Sequence, residues 1–145
     1  MDRLTSEELE LWHAWKLATE SVRTLVAADI MAATGLSDPD FGVLTRVVEL
    51  GQGRMRQNQL AESMGYHRSR LSHHLSRMED RGLVTREPAS AGGGVDVIAT
   101  ASGVAAVEAA RPAHAAAVRR HLLEPLAGCD LAAFRAALDR LAAHA

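Results

Sequence analysis

Apolar residues at Leu11, Trp15, Ala18, Val22 and Leu25 recur at steps of four, three, four and three. That spacing puts them on one narrow face of a helix, the stripe of a helix that meets another along a seam. Thr5 or Ser6 followed by Glu8 suits the helix start, and Gly35 suits its end. The pattern predicts a helix over about residues 6–33, longer than most helices inside one small globule. Such a helix packs more often against a second chain.

A second start signal stands at Ser37-Asp38-Pro39-Asp40, with Phe41, Leu44 and Val48 on the buried face that follows. Gly51-Gln52-Gly53 stops it. Two shorter helices are predicted over about 58–64 and 68–81, separated by Gly65-Tyr66 and closed by Gly82. Leu83 to Glu87 and Val95 to Ala99 are β-prone runs around a flexible Pro88 to Gly94 loop, which reads as a hairpin. An alanine-rich helix is predicted from about Ser102 to Leu123, bent at Pro112, and a last helix from about Leu131 to His144. The fold class is therefore all-α with a small β-hairpin. Residues 38–100 form a compact unit, and residues 1–37 and 101–145 supply long helices with apolar stripes left over.

The spacing from Gln57 to Ser76 matches a helix-turn-helix. Leu60, Ala61 and Met64 pack its first helix, and Gly65 suits the turn, where a β-carbon is costly. On the second helix Leu71, Leu75 and Met78 face inward, while Ser69, Arg70, His73, Ser76 and Arg77 face outward. That outward face has donors throughout and no acid. It suits the major groove of DNA, where an arginine bonds guanine O6 and N7 together. Ser69, at the helix start, is placed for a phosphate or a base edge. His74 falls where such a motif usually has an aliphatic residue, and reads as a hydrogen-bonded core histidine in preference to a phosphate contact.

Charge supports the same segment. The 145-residue chain carries a formal charge of -2, yet Arg54 to Arg86 holds seven arginines against three acids, or +4. A basic segment in an acidic chain implies one anion-facing surface.

In Leu60-Ala61, Ser69-Arg70-Leu71-Ser72, Glu79-Asp80-Arg81-Gly82-Leu83-Val84, Thr100-Ala101-Ser102-Gly103 and Ala110-Arg111-Pro112-Ala113-His114 the chain resembles the multiple antibiotic resistance regulator (MarR) family. The resemblance implies a winged helix-turn-helix protein that dimerises through its N- and C-terminal helices. It further implies a palindromic operator, more often repressed than activated, and a small ligand that modulates binding. Arg54, Arg56, Arg68, Ser69, Arg70, Ser72, His73, Arg77 and Arg86 are the candidate DNA contacts. Similar proteins carry Asp-x-Arg near the wing tip; here Ala91 and Gly93 fall at those places, so the tip has no cation of its own.

Trp12, Trp15, Phe41 and His114 are candidates for an effector pocket taking a small aromatic ligand, with simple packing as the competing reading. The histidines lack a full ligand set for a metal, and no cofactor motif is present. Cys129 is a lone loop thiol beside Asp130, so neither an intramolecular disulfide nor a multi-cysteine zinc site is possible. No nucleophile elbow or phosphate-cradling glycine loop supports catalysis. The acidic start lacks the form of a secretory signal, and no apolar run is long enough for a membrane span, so a cytoplasmic protein is expected. The expected partners are double-stranded DNA and a second copy of the chain. The competing class is a dimeric winged-helix interaction module with weak or no DNA binding.

Overall fold

A computed structural model describes residues 2–145. The elements in order are α1 (Ser6–Thr34), α2 (Asp38–Thr45), β1 (Arg54–Arg56), α3 (Gln57–Met64), α4 (Arg68–Asp80), β2 (Val84–Pro88), β3 (Val95–Ala99), α5 (Ala101–Val118) and α6 (Leu131–His144). Wide π-type turns, Arg46–Leu50 and Arg119–Leu123, continue α2 and α5. The chain divides into two compact units: Ala27–His114, and the residues up to Val26 together with Ala115–Ala145. The larger unit thus extends further along both terminal helices than the expected 38–100.

The helix starts follow from their capping chemistry. Thr5 Oγ1 accepts from the Glu8 N–H at 3.2 Å, and Glu8 Oε2 accepts from the Thr5 N–H at 2.8 Å. Ser37 and Asp40 make the same reciprocal pair at the start of α2, with Pro39 inside the first turn. Asp130 caps α6 through the Ala133 N–H. Pro112 lies inside α5, which stays helical past it.

The sheet has the order β1-β3-β2, antiparallel throughout. β2 and β3 are the predicted hairpin. β1 was not predicted: it is three residues long, and it pairs with β3 rather than with a sequence neighbour. Its register sets Arg54 opposite Ile98 and Arg56 opposite Asp96. The core of the larger unit is Val43, Leu44 and Val47 from α2 and its turn, Leu60 from α3, Leu71, Leu75 and Met78 from α4, Val84 and Val97 from the sheet, and Val107 and Ala110 from α5. Thr100 joins sheet to helix: its Oγ1 donates to the Gly82 carbonyl at 2.6 Å and accepts from the Gly103 N–H at 3.0 Å.

Candidate nucleic-acid interface

α3 ends at Gly65, whose φ of 65° lets the Tyr66 N–H turn back to the Ala61 carbonyl at 2.9 Å. α4 starts three residues later. Its inner face, Leu71, Leu75 and Met78, is fully buried, and Ser69, Arg70, His73, Ser76 and Arg77 are exposed. The helical wheel and the packed structure therefore agree on which side of α4 is free.

The outward residues differ in how they are held. Arg68 and His73 are exposed on the first half of α4. Ser69 Oγ lies 3.1 Å from the His67 ring nitrogen. The Arg70 guanidinium lies 4.0 Å above the centre of the Tyr66 ring, which restricts its rotamers without using its N–H donors. Arg77 donates from Nη2 to Nδ1 of His74 at 3.1 Å.

Arg86 and Ser72, both candidate DNA contacts, are engaged within the protein. The Arg86 guanidinium closes on Glu79 Oε1 at 2.6 Å, on Ser76 Oγ at 2.8 Å and on Ser72 Oγ at 3.2 Å. It ties β2 to α4, and half-buried Ser72 is one of its acceptors. The cause is the sheet register, which puts Arg86 beside the C-terminal half of α4, where Glu79 neutralises it. A hollow of about 370 Å³ lies here between helix and wing, lined by Gln57, Ser72, Arg86, Glu87, Pro88, Gly94 and Val95.

Arg54 is also engaged. Nε donates to buried Asp96 at 2.7 Å and Nη1 meets Glu87 at 2.6 Å, so both charges around it are opposite. Arg56 behaves differently. Its Nη1 donates to the Gly93 carbonyl at 3.0 Å and its Nη2 to the Ala91 carbonyl, while Asp96 stays 3.8 Å from Nε. The wing tip lacks an arginine of its own, and a guanidinium from β1 sits against its backbone.

Sequence reasoning missed the acids that hold these cations. Asp40 is 2 % exposed. Its Oδ2 accepts from Arg81 Nη1 at 2.7 Å and from the Ser37 N–H at 2.9 Å, and its Oδ1 lies 3.0 Å from His74 Nε2. Burial pushes the Asp40 carboxyl up, but hydrogen bonds from Arg81 and Ser37 with the Arg81 charge outweigh it and hold the group below its ordinary value. His74 is buried as expected of a core histidine. Desolvation, helped by Arg77 and Arg81, lowers its pKa against the pull of Asp40. The helical spacing of His74, Arg77 and Arg81 and the Ser-x-x-Asp cap were legible signals. Asp96 and Tyr66 had none.

Of the effector candidates, Phe41 and His114 come together, with ring centres 5.2 Å apart and planes tilted by 40°. Trp12 and Trp15 are solvent-exposed on α1. Among the described residues no three His, Cys, Asp or Glu side chains cluster as metal ligands, and no helix is long and apolar enough to cross a membrane.

Known proteins share this arrangement. A family profile described as the MarR family matches residues 34–93. No curated protein sequence matches the chain. Among solved structures, AbsC, a MarR family transcriptional regulator from Streptomyces coelicolor, is similar with a TM-score of 0.89 and 32% identity over 99% of this chain and 97% of that one. Sco3205, a MarR family regulator from the same organism solved in complex with DNA, gives 0.87 and 26% over 98% and 90%. A cysteine-to-serine mutant of MarR from E. coli, complexed with operator DNA, gives 0.80 at 18% identity over 97% and 99%, a likeness of fold. Members of this family are transcriptional regulators and not enzymes. With the helix-turn-helix, the wing and this identity along almost its whole length, the chain belongs to the MarR family of DNA-binding transcriptional regulators.

Proposed function

We propose that two copies of this chain pair through their terminal regions, residues 1–37 and 101–145, as a cytoplasmic repressor, and present the 38–100 unit of each copy to a palindromic operator. The observation that carries the reading is the outer face of α4, where Ser69, Arg70, His73, Ser76 and Arg77 are exposed and no carboxylate intervenes. Arg70 and Arg77 read bases, and Arg68 and Ser69 hold phosphates near the helix start. Arg56 supplies the positive charge of the wing. Arg54, Ser72 and Arg86 keep helix and wing in register and contribute less directly.

Pairing is supported by the apolar stripe of α1, since Leu11, Trp15 and Leu25 stay exposed in the single chain. Leu131, Phe134 and Leu141 of α6 are exposed as well. Apolar surface of this extent on helices is the usual mark of a partner surface. A twofold dimer then sets two α4 helices one DNA turn apart, about 34–36 Å.

Selection of bound sites from randomised duplex DNA tests the proposal. A palindromic site with strong salt dependence supports it; unselective recovery rejects it. Sedimentation tests the dimer, and a reporter downstream of the selected site tests repression. Trp12, Trp15, Phe41 and His114 remain the candidates for sensing a small aromatic ligand. Titration with benzoates and phenols, followed by tryptophan fluorescence and operator release, tests them.

A further inference from the structure

We infer that His74 is a positioning residue for Arg77: its Nδ1 lone pair, on a ring buried between α2 and α4, aims the Arg77 guanidinium for its contact with DNA. The inference rests on the reading of α4 as the DNA-facing helix.

The geometry determines the tautomer. Arg77 can only donate, and its Nη2 lies 3.1 Å from His74 Nδ1, so that nitrogen must offer a lone pair. The ring proton then belongs to Nε2, which faces Asp40 Oδ1 at 3.0 Å. Asp40 is itself fixed, because Arg81 and the Ser37 N–H both hold Oδ2. The chain of contacts therefore runs from a fixed, buried carboxylate on α2, through a buried imidazole, to a guanidinium on the exposed side of α4. Asp40 Oδ1 and His74 Nε2 are close without an aligned hydrogen bond, so burial fixes the ring, and its Nδ1 meets Arg77.

The same contacts suit a polar clamp between α2 and α4, which the Arg81–Asp40 pair already provides at 2.7 Å. What the clamp does not need is an acceptor turned toward Arg77. A free arginine samples many rotamers and loses them on docking; one held by a fixed acceptor has lost part of that freedom beforehand. The charged groups facing His74 are Asp40 from α2, Arg77 from its own helix and Arg81 just past that helix's end. A protonated ring has no acceptor and repels Arg77, so the positioning is present while His74 is neutral and is lost when it is charged.

The test uses the full-length protein and its selected operator, with affinities measured for wild type, Arg77→Ala, His74→Leu and the double variant at pH 7.5. Arg77→Ala is expected to weaken binding about tenfold. His74→Leu should lose most of that factor, and the double variant should be no weaker than Arg77→Ala. His74→Asn, which can place an oxygen near the Nδ1 position, should restore binding; His74→Gln, whose amide reaches toward Asp40, should not. In wild type the advantage over Arg77→Ala should disappear on acidification below the ordinary histidine range. Losses that multiply in the double variant, or an advantage independent of pH, would overturn the positioning role while leaving operator binding intact. No operator binding by wild type would overturn the functional reading beneath it. Should the leucine variant not fold, nitrogen NMR of wild type decides: a proton on Nδ1 at neutral pH overturns the inference, and a proton on Nε2 with an Nδ1 signal that shifts in Arg77→Ala supports it.

Discussion

Gly103 approaches Leu83 so closely that a β-carbon on it would fall far inside contact distance of the Leu83 carbonyl oxygen. Leu44 Cδ2 would stand 3.2 Å away on another side. The start of α5 therefore rests on the chain entering the wing, and Thr100 bonds both segments. Gly103→Ala must push backbone apart and should cost about 1–3 kcal/mol. Urea denaturation checks this; an unchanged midpoint would show that the junction relaxes freely.

Arg70→Ala should weaken operator binding by about 1–3 kcal/mol and relax the preference at one base pair. Site selection repeated with the variant reads the second effect. An equal loss on random duplex would move Arg70 to the phosphate contacts. Tyr66→Ala should show the same effect more weakly, because the ring beneath the Arg70 guanidinium restricts it.

Gly93→Arg should tighten binding and steepen its salt dependence by about one counterion. Space allows the change, since a β-carbon at Gly93 meets nothing within 4 Å. The φ of 68° opposes it by about 1 kcal/mol of strain in stability. Arg56 should still hold the Gly93 carbonyl in the variant. An unchanged salt slope would mean that the tip does not approach DNA.

Acid should destabilise the fold in two windows. The folded-state pKa of His74 is lowered, so the unfolded chain binds its proton first, and stability falls as pH drops below about 6.5. Asp40 is also lowered, from 3.8, so its contribution is complete above that value and is lost as pH falls through the folded value. His74→Leu should flatten the upper window and Asp40→Asn the lower. Asp40→Asn should also cost about 1.5–3 kcal/mol at neutral pH through its charged hydrogen bonds. Denaturation midpoints across pH test both signs.

Leu25→Glu places a charge on the stripe proposed to pair two copies. The variant should sediment as a monomer where wild type is a dimer. Its operator affinity should drop by a factor of about 100 or more, because two half-sites are no longer bound together. A dimer of unchanged strength would remove α1 from the interface.

Much of this molecule was legible in one sequence, and the reason is locality. Helix starts at Thr5, Ser37 and Asp130, the turn at Gly65 and the two faces of α4 depend on residues within a few positions of one another. Backbone hydrogen bonding and side-chain periodicity act over that range, so composition and spacing carry the information. What could not be read were pairings across long stretches of chain. Three residues, Arg54–Arg56, become a strand only because β3 is there to receive them, some forty positions later. That pairing decides that Arg54 faces Asp96 and that Arg56 reaches the wing tip. The hairpin register likewise turns Arg86 toward Glu79. Sequence alone determined which side of α4 is free and that this side is basic. Tertiary structure decided which arginines keep their charge for a partner, because a charge is neutralised by whatever acid the fold brings within a few ångströms, however far apart the two lie along the chain.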